Sequence, residues 1–229
     1  MTQVDNYRHH YLNIITTYPS AFALKCFMGN NPYLKLDRSN LKEKTIIDIG
    51  FGDGRDLSFF KALGMQVSGV EPDNTVVEHT LKKLDHLKLN LRCGTNMETG
   101  FSHGFFDYVY ACSSIYYLPS DKHTIRDALK EANNILKENG VLFSTFARSD
   151  SHVTKNATVI DKNTLILEDP FYGFRKGQRY HVFNNIDEIK TDLKLCGFDP
   201  LFVGNYDVDW FGTRETLFLC YAKKSTSKL

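Results

Sequence analysis

The stretch IIDIGFGDGRD, residues 46–56, decides the fold. A buried apolar run carries Asp48 near its end, and Gly50, Gly52 and Gly54 then alternate before a helix begins. Glycines at such a turn permit unusual backbone angles and the close approach of a ligand. The helix that follows presents free N–H groups and the positive end of its dipole. The stretch therefore predicts a strand, a ligand-binding loop and a helix, in that order.

This loop differs from the one that binds dinucleotides. The dinucleotide pattern GxGxxG requires its third glycine one position later, where Arg55 stands. Asp53 also lies inside the loop, where its charge would repel a pyrophosphate. The loop therefore suits a cofactor that is less anionic than a dinucleotide.

A second acidic residue follows at the predicted end of the next strand. The segment GVEPD, residues 69–73, places Glu71 at that strand tip. A carboxylate in this position can accept two hydrogen bonds from a ribose diol. The alternative interpretation is that Glu71 caps the following helix.

Short apolar runs alternate with helical stretches through the middle of the chain, which is typical of a parallel sheet with helices on both faces. The predicted strands span residues 44–49, 66–71, 87–93, 106–112 and 141–147. The predicted helices span residues 5–18, 20–28, 55–63, 73–84, 121–137 and 185–196. Two hairpins are predicted outside this alternation, one at 158–160 with 164–167 and one at 201–204 with 216–221.

Composition excludes several classes of protein. The chain has 229 residues, of which 42% are hydrophobic and 24% charged, so it is neither disordered nor collagen-like. A formal net charge of +1 argues against a large nucleic-acid footprint. No apolar run is long enough to cross a membrane, and the N-terminus lacks the apolar core of a secretory signal.

Five cysteines, odd in number and far apart, indicate neither a disulfide framework nor a zinc site. We expect mostly buried, reduced thiols, no metal and a cytoplasmic protein. The final residues Ser227, Lys228 and Leu229 would be a peroxisomal address only in a eukaryote.

These motifs together resemble the class I S-adenosylmethionine-dependent methyltransferases, over about residues 44–223. The resemblance is carried by DIGFGDG at 48–54, the acidic Glu71, CGTNMET at 93–99, FDYVYACSSIYYL at 106–118 and LKENGVLFSTF at 136–146. The last motif departs from the usual LKPGG, because Glu138 and Asn139 replace its Pro-Gly. We interpret this departure as a local difference in a turn.

The resemblance implies an α/β fold with a Rossmann-like seven-stranded sheet and a reversed last strand. It implies an N-terminal helical lid at 1–43, a methyltransferase domain at 44–223 with a substrate-binding insert at 148–183, and a tail at 224–229. It also implies S-adenosyl-L-methionine as cofactor and S-adenosyl-L-homocysteine as product. The cofactor residues implied by the family's motifs are Asp48, Gly50, Gly52, Asp53, Glu71, Pro72, Asn96, Met97, Ala111 and Cys112.

The segment YGFRKGQRYH, residues 172–181, is the second informative feature. Arginine forks suit phosphate or carboxylate recognition, although a solvated basic loop is the alternative. We predict that the acceptor is bound by Tyr11, Tyr116, Arg148, Arg175, Lys176 and Arg179. The candidate catalytic residues are His152, His181 and Tyr117.

The sequence thus predicts a methyltransferase that acts on oxygen in a small anionic acceptor, which is phosphorylated, nucleotide-linked or sugar-derived. Enzymes of this layout resemble those of bacterial surface-polysaccharide pathways. The alternatives are an N- or carboxyl-methyltransferase, an aminopropyl transferase, a nucleic-acid methyltransferase acting through the local basic patch, and a non-catalytic cofactor-binding regulatory subunit. We expect a monomer or a homodimer.

Overall fold

A computed structural model describes residues 3–14, 18–170 and 172–226. Its helices are α1 (Gln3–Leu12), α2 (Ala21–Phe27), α3 (Arg55–Ala62), α4 (Asn74–Lys83), α5 (Ile125–Ile135) and α6 (Ile186–Leu195). Its strands are β1 (Thr45–Ile49), β2 (Gln66–Glu71), β3 (Asn90–Cys93), β4 (Phe106–Ala111), β5 (Tyr117–Leu118), β6 (Leu136–Ala147), β7 (Thr158–Val159), β8 (Thr164–Ile166), β9 (Arg179–His181), β10 (Phe198–Trp210) and β11 (Thr213–Lys224). Short 3-10 turns occupy Leu41–Glu43, Asp85–Leu87 and His152–Thr154.

Seven strands form the main sheet, in the order β10-β11-β6-β4-β1-β2-β3. Strands β3, β2, β1, β4 and β6 run parallel, whereas β11 is antiparallel to both β6 and β10. The predicted Rossmann-like sheet with a reversed last strand is therefore confirmed. Because β1 lies between β2 and β4, the carboxyl ends of three consecutive parallel strands meet at one edge of the sheet.

Apolar side chains cover both faces of this sheet, as the continuous apolar runs predict. All five residues of β1 are buried. One core lies under α5 and α6 and includes Leu129 and Leu193. The other lies under α2 and α3 and includes Phe27 and Phe60. This two-sided burial leaves the strand tips as the place where polar loops can form a site.

A second, four-stranded antiparallel sheet has the order β5-β9-β8-β7. The β7–β8 hairpin is the one that the sequence predicts. The pairing of β5 with β9, which joins Tyr117 to Tyr180, is not predicted by any sequence pattern. It ties the insert to the loop that follows β4, so the insert lies over the carboxyl edge of the main sheet.

Three predicted boundaries differ most from the structure. Helix α1 ends at Leu12, well before residue 18, although residues 15–17 lie outside the described part. Strand β6 begins at Leu136, where a helix was predicted, because that residue pairs with Phe106 of β4. The terminal hairpin β10–β11 is also longer than predicted, because the two strands stay paired up to Trp210 and Thr213, beyond the part of β11 that pairs with β6.

Several helix starts follow the expected capping chemistry. Asn185 accepts a hydrogen bond from the Glu188 N–H, and Asp73 caps α4 through the N–H groups of Thr75 and Val76. Three cysteines are buried, Cys112 is half-buried and Cys93 is exposed. No helix in the described ranges is long and apolar enough to cross a membrane.

Candidate functional site

The loop between β1 and α3 adopts the conformation that its glycines allow. Gly50, Gly52 and Gly54 have φ angles of 73°, 53° and 78°, which side chains other than glycine's rarely adopt. A Cβ atom on Gly52 would also overlap the ring of Tyr11 in α1. Gly52 is therefore required by its backbone angle and by the close approach of the N-terminal helix.

Glu71 lies at the end of β2 and is almost fully buried, with 1% of its surface exposed. Its Oε1 accepts a hydrogen bond from the Tyr7 hydroxyl at 2.5 Å, and its Oε2 accepts one from the Gly52 N–H at 3.2 Å. Burial raises the pKa of Glu71 to about 7, although both hydrogen bonds act in the opposite direction. This carboxyl group therefore titrates near neutral pH.

A second contact holds α1 over the strand tips. Arg8 Nε donates to Asp73 Oδ2 at 2.9 Å. Burial alone would raise the pKa of Asp73, but the hydrogen bonds from Arg8 and from the start of α4 hold it below its usual value. Helix α1 is thus tied to the loop after β2 through Tyr7 and Arg8.

A cavity of about 540 Å³ opens at the carboxyl ends of β1, β2 and β4, and we call it the strand-tip cavity. Its size falls within the range of small-molecule sites. Helix α1 closes one side of it, and the insert closes another. The lining residues include Tyr7, Tyr11, Gly50, Glu71, Pro72, Gly94, Thr95, Asn96, Ser113, Ser114, Tyr117, Gln178 and Arg179.

The structure brings some of the predicted cofactor residues into this cavity. Those that line it are Gly50, Glu71, Pro72 and Asn96. Those that do not line it are Asp48, Gly52, Asp53, Met97, Ala111 and Cys112. Asn96 also donates hydrogen bonds from Nδ2 to the carbonyls of Ile115 and Tyr117 at 2.8 and 2.9 Å, so it fixes the loop after β4.

Two of the residues behind the wall are ionisable groups, the buried Asp48 and the half-buried Cys112. Burial, followed by the nearby charge of Asp56, raises the pKa of Asp48 well above its usual value. Burial raises the pKa of the Cys112 thiol to about 11. Cys112 is therefore protonated at neutral pH, which leaves it without the thiolate that a nucleophile needs.

The loop after β4 contains two serines with special positions. Ser113 has a φ of 56°, and its N–H donates to Thr145 Oγ1 at 2.8 Å. Ser114 Oγ is buried and has no hydrogen-bond partner among the described residues. A buried hydroxyl without a partner is unfavourable, so Ser114 is suited to receive a polar group in the strand-tip cavity.

A second cavity of about 430 Å³ lies beside the first, and we call it the aromatic cavity. The two share Ser113 in their walls. The rings of the aromatic cavity come from α1, the loop after β4, the insert and the terminal hairpin. Its lining residues include His10, Ser113, Tyr116, His152, Tyr172, Phe174, Arg175, Tyr180, Trp210 and Glu215.

Arg175 supplies positive charge in the wall of the aromatic cavity. Its guanidinium carbon lies 4.0 Å from the ring centroid of Phe174 and 5.6 Å from that of Tyr172. Its Nη1 is 3.7 Å from Asp169 Oδ2 and, within the described ranges, has no hydrogen-bond partner. Burial alone would lower the pKa of Arg175, but the surrounding tyrosines raise it, so the group remains charged.

The histidines divide between two places. His10 lines the aromatic cavity and stacks on Phe174 at 4.0 Å. His152 lines the same cavity, and its Nδ1 is 3.0 Å from the Arg214 carbonyl oxygen. His181 lines neither cavity and faces a separate groove with Arg126 and Asp192. His181 pairs through its backbone with Tyr116, next to the predicted Tyr117, but its side chain lines neither of the cavities that hold Tyr117 and His152.

The remaining predicted residues are also divided. Tyr11, Tyr117 and Arg179 line the strand-tip cavity, and Tyr116 and Arg175 line the aromatic cavity. The Tyr180 hydroxyl donates a short hydrogen bond to that of Tyr117. Arg148 and Lys176 line neither cavity. Arg148 forms a two-pronged ion pair with Asp150, and Lys176 pairs with Glu168.

Sequence reasoning missed several residues of these cavities. Tyr7 and His10 share one face of α1 with the predicted Tyr11, at spacings of three and four, which a helical pattern can reveal but a packing stripe also explains. Ser114 lies inside the recognised motif but carries no individual signal. Trp210 reaches the aromatic cavity only because the terminal hairpin extends far beyond its predicted length.

Comparison with known proteins fits this geometry. Residues 47–144 match the family described as "Methyltransferase domain". These residues make up somewhat less than half of the chain. This match contains the glycine loop, Glu71 and the serines after β4. No curated protein matches the chain.

Solved structures of low sequence identity share the fold. A Methanosarcina mazei S-adenosylmethionine-dependent methyltransferase is 18% identical with a TM-score of 0.65, over 81% of this chain and 94% of that one. A Burkholderia thailandensis 1,6-didemethyltoxoflavin-N1-methyltransferase with bound S-adenosylhomocysteine is 16% identical with a TM-score of 0.58, over 80% and 71%. A Thermotoga maritima protein described as a possible histamine N-methyltransferase is 19% identical with a TM-score of 0.60, over 97% and 96%.

The site also fits the cofactor on its own chemistry. A buried carboxylate suits a ribose diol, the glycine turn leaves room for a ligand, and the hydroxyl of Ser114 lacks a partner. The domain match and this arrangement agree, so residues 47–144 carry a methyltransferase domain whose site suits S-adenosylmethionine.

Proposed function

We propose that this protein is an S-adenosylmethionine-dependent methyltransferase that methylates an oxygen atom of a small anionic acceptor, which binds in the aromatic cavity. The observation that carries the proposal is the Arg175 guanidinium in a cavity that meets the strand-tip cavity at Ser113. A cation with an unused N–H group is the chemistry that recognises a carboxylate or a phosphate. Phosphorylated, nucleotide-linked and sugar-derived compounds, including precursors of surface polysaccharides, belong to this class.

We infer that the strand-tip cavity holds the cofactor, which supplies an activated methyl group when bound. Glu71 accepts hydrogen bonds from the ribose, because a carboxylate has about four acceptor sites and the contacts with Tyr7 and Gly52 use two of them. Asn96 and Pro72 line the same wall, and α1 closes over it as a lid. The residues of the lid exclude water from the reacting groups.

The histidines of the aromatic cavity support oxygen as the methylated atom. A hydroxyl acceptor loses a proton during the reaction and benefits from a nearby base. His10 and His152 both line the cavity. Burial, followed by the charge of Arg175, lowers the pKa of His10, so its imidazole is neutral and able to accept a proton at neutral pH.

A nitrogen acceptor is the second candidate. Two of the similar structures carry names of N-methyltransferases, for 1,6-didemethyltoxoflavin and, as a possibility, histamine. A neutral amine needs no cation in its pocket, so Arg175 favours the anionic oxygen acceptor. A non-catalytic regulatory subunit would need no acceptor cavity at all.

The test begins with calorimetric titration of S-adenosylhomocysteine into the wild type, Glu71→Gln and Glu78→Gln. Glu78 is an exposed glutamate of α4 and serves as the matched control. We then incubate the protein with methyl-labelled S-adenosylmethionine and a panel of anionic and neutral hydroxyl and amine compounds, and locate the label by mass spectrometry.

We expect tight binding that is much weaker in Glu71→Gln but unchanged in Glu78→Gln, and label on the oxygen of an anionic compound. Label on nitrogen, or methylation of neutral compounds at a rate that Arg175→Ala leaves unchanged, would contradict the proposed acceptor. Binding of S-adenosylhomocysteine with no transfer to any compound would favour the regulatory subunit.

A further inference from the structure

The aromatic cavity is built from flat rings contributed by segments far apart in the chain. Tyr116 follows β4, Phe174 belongs to the insert, and Trp210 ends β10. The His10 and Phe174 rings are nearly parallel, with 8° between their planes. Aromatic faces gain most from contact with another flat π-system, at about 0.5–1.5 kcal/mol per pair beyond burial. The walls therefore favour a planar ligand.

The charge of the cavity is small. Among the described residues that line it, Arg175 is the sole lysine or arginine, and Glu215 is the sole carboxylate. Arg175 is also partly neutralised by the fully buried side chain of Asp169 at 3.7 Å. A phosphate dianion or a diphosphate would remain uncompensated in these surroundings, because buried charge is unfavourable unless it is paired. The cavity therefore disfavours a phosphate dianion or a diphosphate and offers a single guanidinium to a smaller anionic group.

Both the backbone and the guanidinium of Arg175 have contacts within the protein before any ligand arrives. Asp169 Oδ2 accepts the Arg175 backbone N–H at 3.0 Å, and the guanidinium carbon lies 4.0 Å from the Phe174 ring centroid. Its Nη1 is buried and has no hydrogen-bond partner in the part of the chain that the structure describes. An unused donor on an immobilised side chain is a ready partner for a carboxylate, whose planar oxygens match the guanidinium fork.

We propose that the acceptor is a planar aromatic acid with a single carboxylate, whose carboxylate binds Arg175 and whose ring lies among Tyr116, Phe174 and Trp210. This inference rests on the proposed function and narrows it, because it selects an aromatic monocarboxylate over the phosphorylated and sugar-derived acceptors. The methylated oxygen is then a hydroxyl of the same ring system.

Trp210 provides the measurement. It is the single tryptophan of the chain and lines the cavity, so its fluorescence reports on ligands there without any turnover. Protein saturated with S-adenosylhomocysteine is titrated with three probes. These are 4-hydroxybenzoate, its neutral isostere 4-hydroxybenzamide, and glucose 6-phosphate, which is anionic but not planar.

We expect saturable binding of 4-hydroxybenzoate. Binding of 4-hydroxybenzamide should be weaker by about tenfold or more, since a lost charge-assisted hydrogen bond costs more than about 1.4 kcal/mol. Binding of glucose 6-phosphate should be weaker by a similar factor, because it is not planar and its phosphate carries more charge than the cavity compensates. Arg175→Gln should weaken the binding of 4-hydroxybenzoate by about the same factor. The matched control is Arg92→Gln, because Arg92 also lies over a phenylalanine ring, 4.1 Å from that of Phe101, but lines neither cavity. Phe174→Leu should weaken the binding of 4-hydroxybenzoate while leaving the binding of S-adenosylhomocysteine unchanged.

The outcomes separate this inference from the proposed function. If glucose 6-phosphate binds more tightly than 4-hydroxybenzoate and its binding still depends on Arg175, the proposal of an aromatic acid is overturned, while the proposal of an anionic acceptor stands. Equal binding of benzoate and benzamide, or no effect of Arg175→Gln, would overturn both. Absence of saturable binding by all three probes to the cofactor-product complex would also overturn the aromatic acid.

Arg175→Gln leaves Asp169 buried without its cation, which can destabilise the fold. Calorimetry with S-adenosylhomocysteine therefore verifies the site in every variant, and Arg175→Gln with Asp169→Asn removes both charges together. The comparison of benzoate with benzamide needs no variant and stands alone.

Discussion

The strand-tip cavity and the aromatic cavity are adjacent, but they are assembled in different ways. The first is formed mainly by consecutive strand tips of a parallel sheet, where Gly50, Glu71 and Asn96 follow one another along the chain. The second combines His10, Arg175 and Trp210, which lie in segments separated by most of the chain. A site built on neighbouring strand tips can be recognised from motifs, whereas a site built from distant segments depends on how those segments pack.

The largest expected effect tests whether the two cavities act independently. Glu71→Ala should weaken S-adenosylhomocysteine binding by about 100-fold, because it removes a buried carboxylate whose hydrogen bonds are each worth about 1.5–3 kcal/mol. Glu78→Ala is the control for a lost carboxylate at an exposed position. Calorimetry checks both, and unchanged affinity in Glu71→Ala would remove the ribose role from Glu71.

The reverse experiment addresses the aromatic cavity. Arg175→Ala should weaken acceptor binding by about tenfold or more, since it removes the sole arginine among the described lining residues, and should leave cofactor binding within about twofold. Titrations of S-adenosylhomocysteine and of an acceptor probe separate the two affinities. Equal losses of both would mean that the cavities are one coupled site.

A smaller effect concerns the contact between α1 and the glycine loop. Gly52→Ala combines a positive φ with overlap of the Tyr11 ring, whereas Gly100→Ala has a φ of 70° and no atom near the added Cβ. We expect both to lose about 1 kcal/mol of unfolding free energy from the backbone alone. Gly52→Ala should lose more, and it should expose α1 to limited proteolysis. Equal losses in chemical denaturation would show that α1 does not depend on this approach.

The smallest expected effect is a pH dependence of cofactor binding. Burial raises the pKa of Glu71 to about 7, so its carboxylate forms as the pH rises through that value. The affinity for S-adenosylhomocysteine should increase by a few-fold between about pH 6 and pH 8, and the Glu71→Gln variant should lack this increase.

The same shift changes the stability of the free protein. The pKa of Glu71 is raised above its unfolded value, so the folded state binds the extra proton and the free energy of unfolding falls as the pH rises from about 4.5 to about 7. Thermal or denaturant unfolding in the wild type and Glu71→Gln checks the sign. A rise in stability over that range that is specific to the wild type would contradict the assignment.

Much of the fold could be predicted, because its signals are local. The parallel strands β1, β2, β4 and β6 read as apolar runs, since burial on both faces leaves no alternation. The position of β6 was less accurate, because Leu136 fits both the end of a helix and a strand that pairs with Phe106. The second sheet was missed in part, because strands of two or three residues such as β5 and β9 are too short for any periodicity.

The candidate site could be predicted best where a motif places a residue at the end of a strand or in the turn that follows it. Glu71 at a strand tip and Gly50 in a turn meet that condition. The basic segment does not, because Arg175 lines the aromatic cavity, Arg179 lines the strand-tip cavity and Lys176 pairs with Glu168 on the surface. Charge in a sequence does not reveal which direction each side chain takes.

The sequence by itself determined the sheet, the glycine turn and the acidic strand tip, because hydrophobic periodicity and backbone freedom act over a few neighbouring residues. Only the tertiary structure decided that the Tyr7 hydroxyl donates to Glu71, that Ser113 lines two cavities, and that Trp210 lines one of them together with Phe174 and Arg175. These contacts join residues far apart in the chain, and their formation depends on how whole helices and hairpins pack rather than on any local preference.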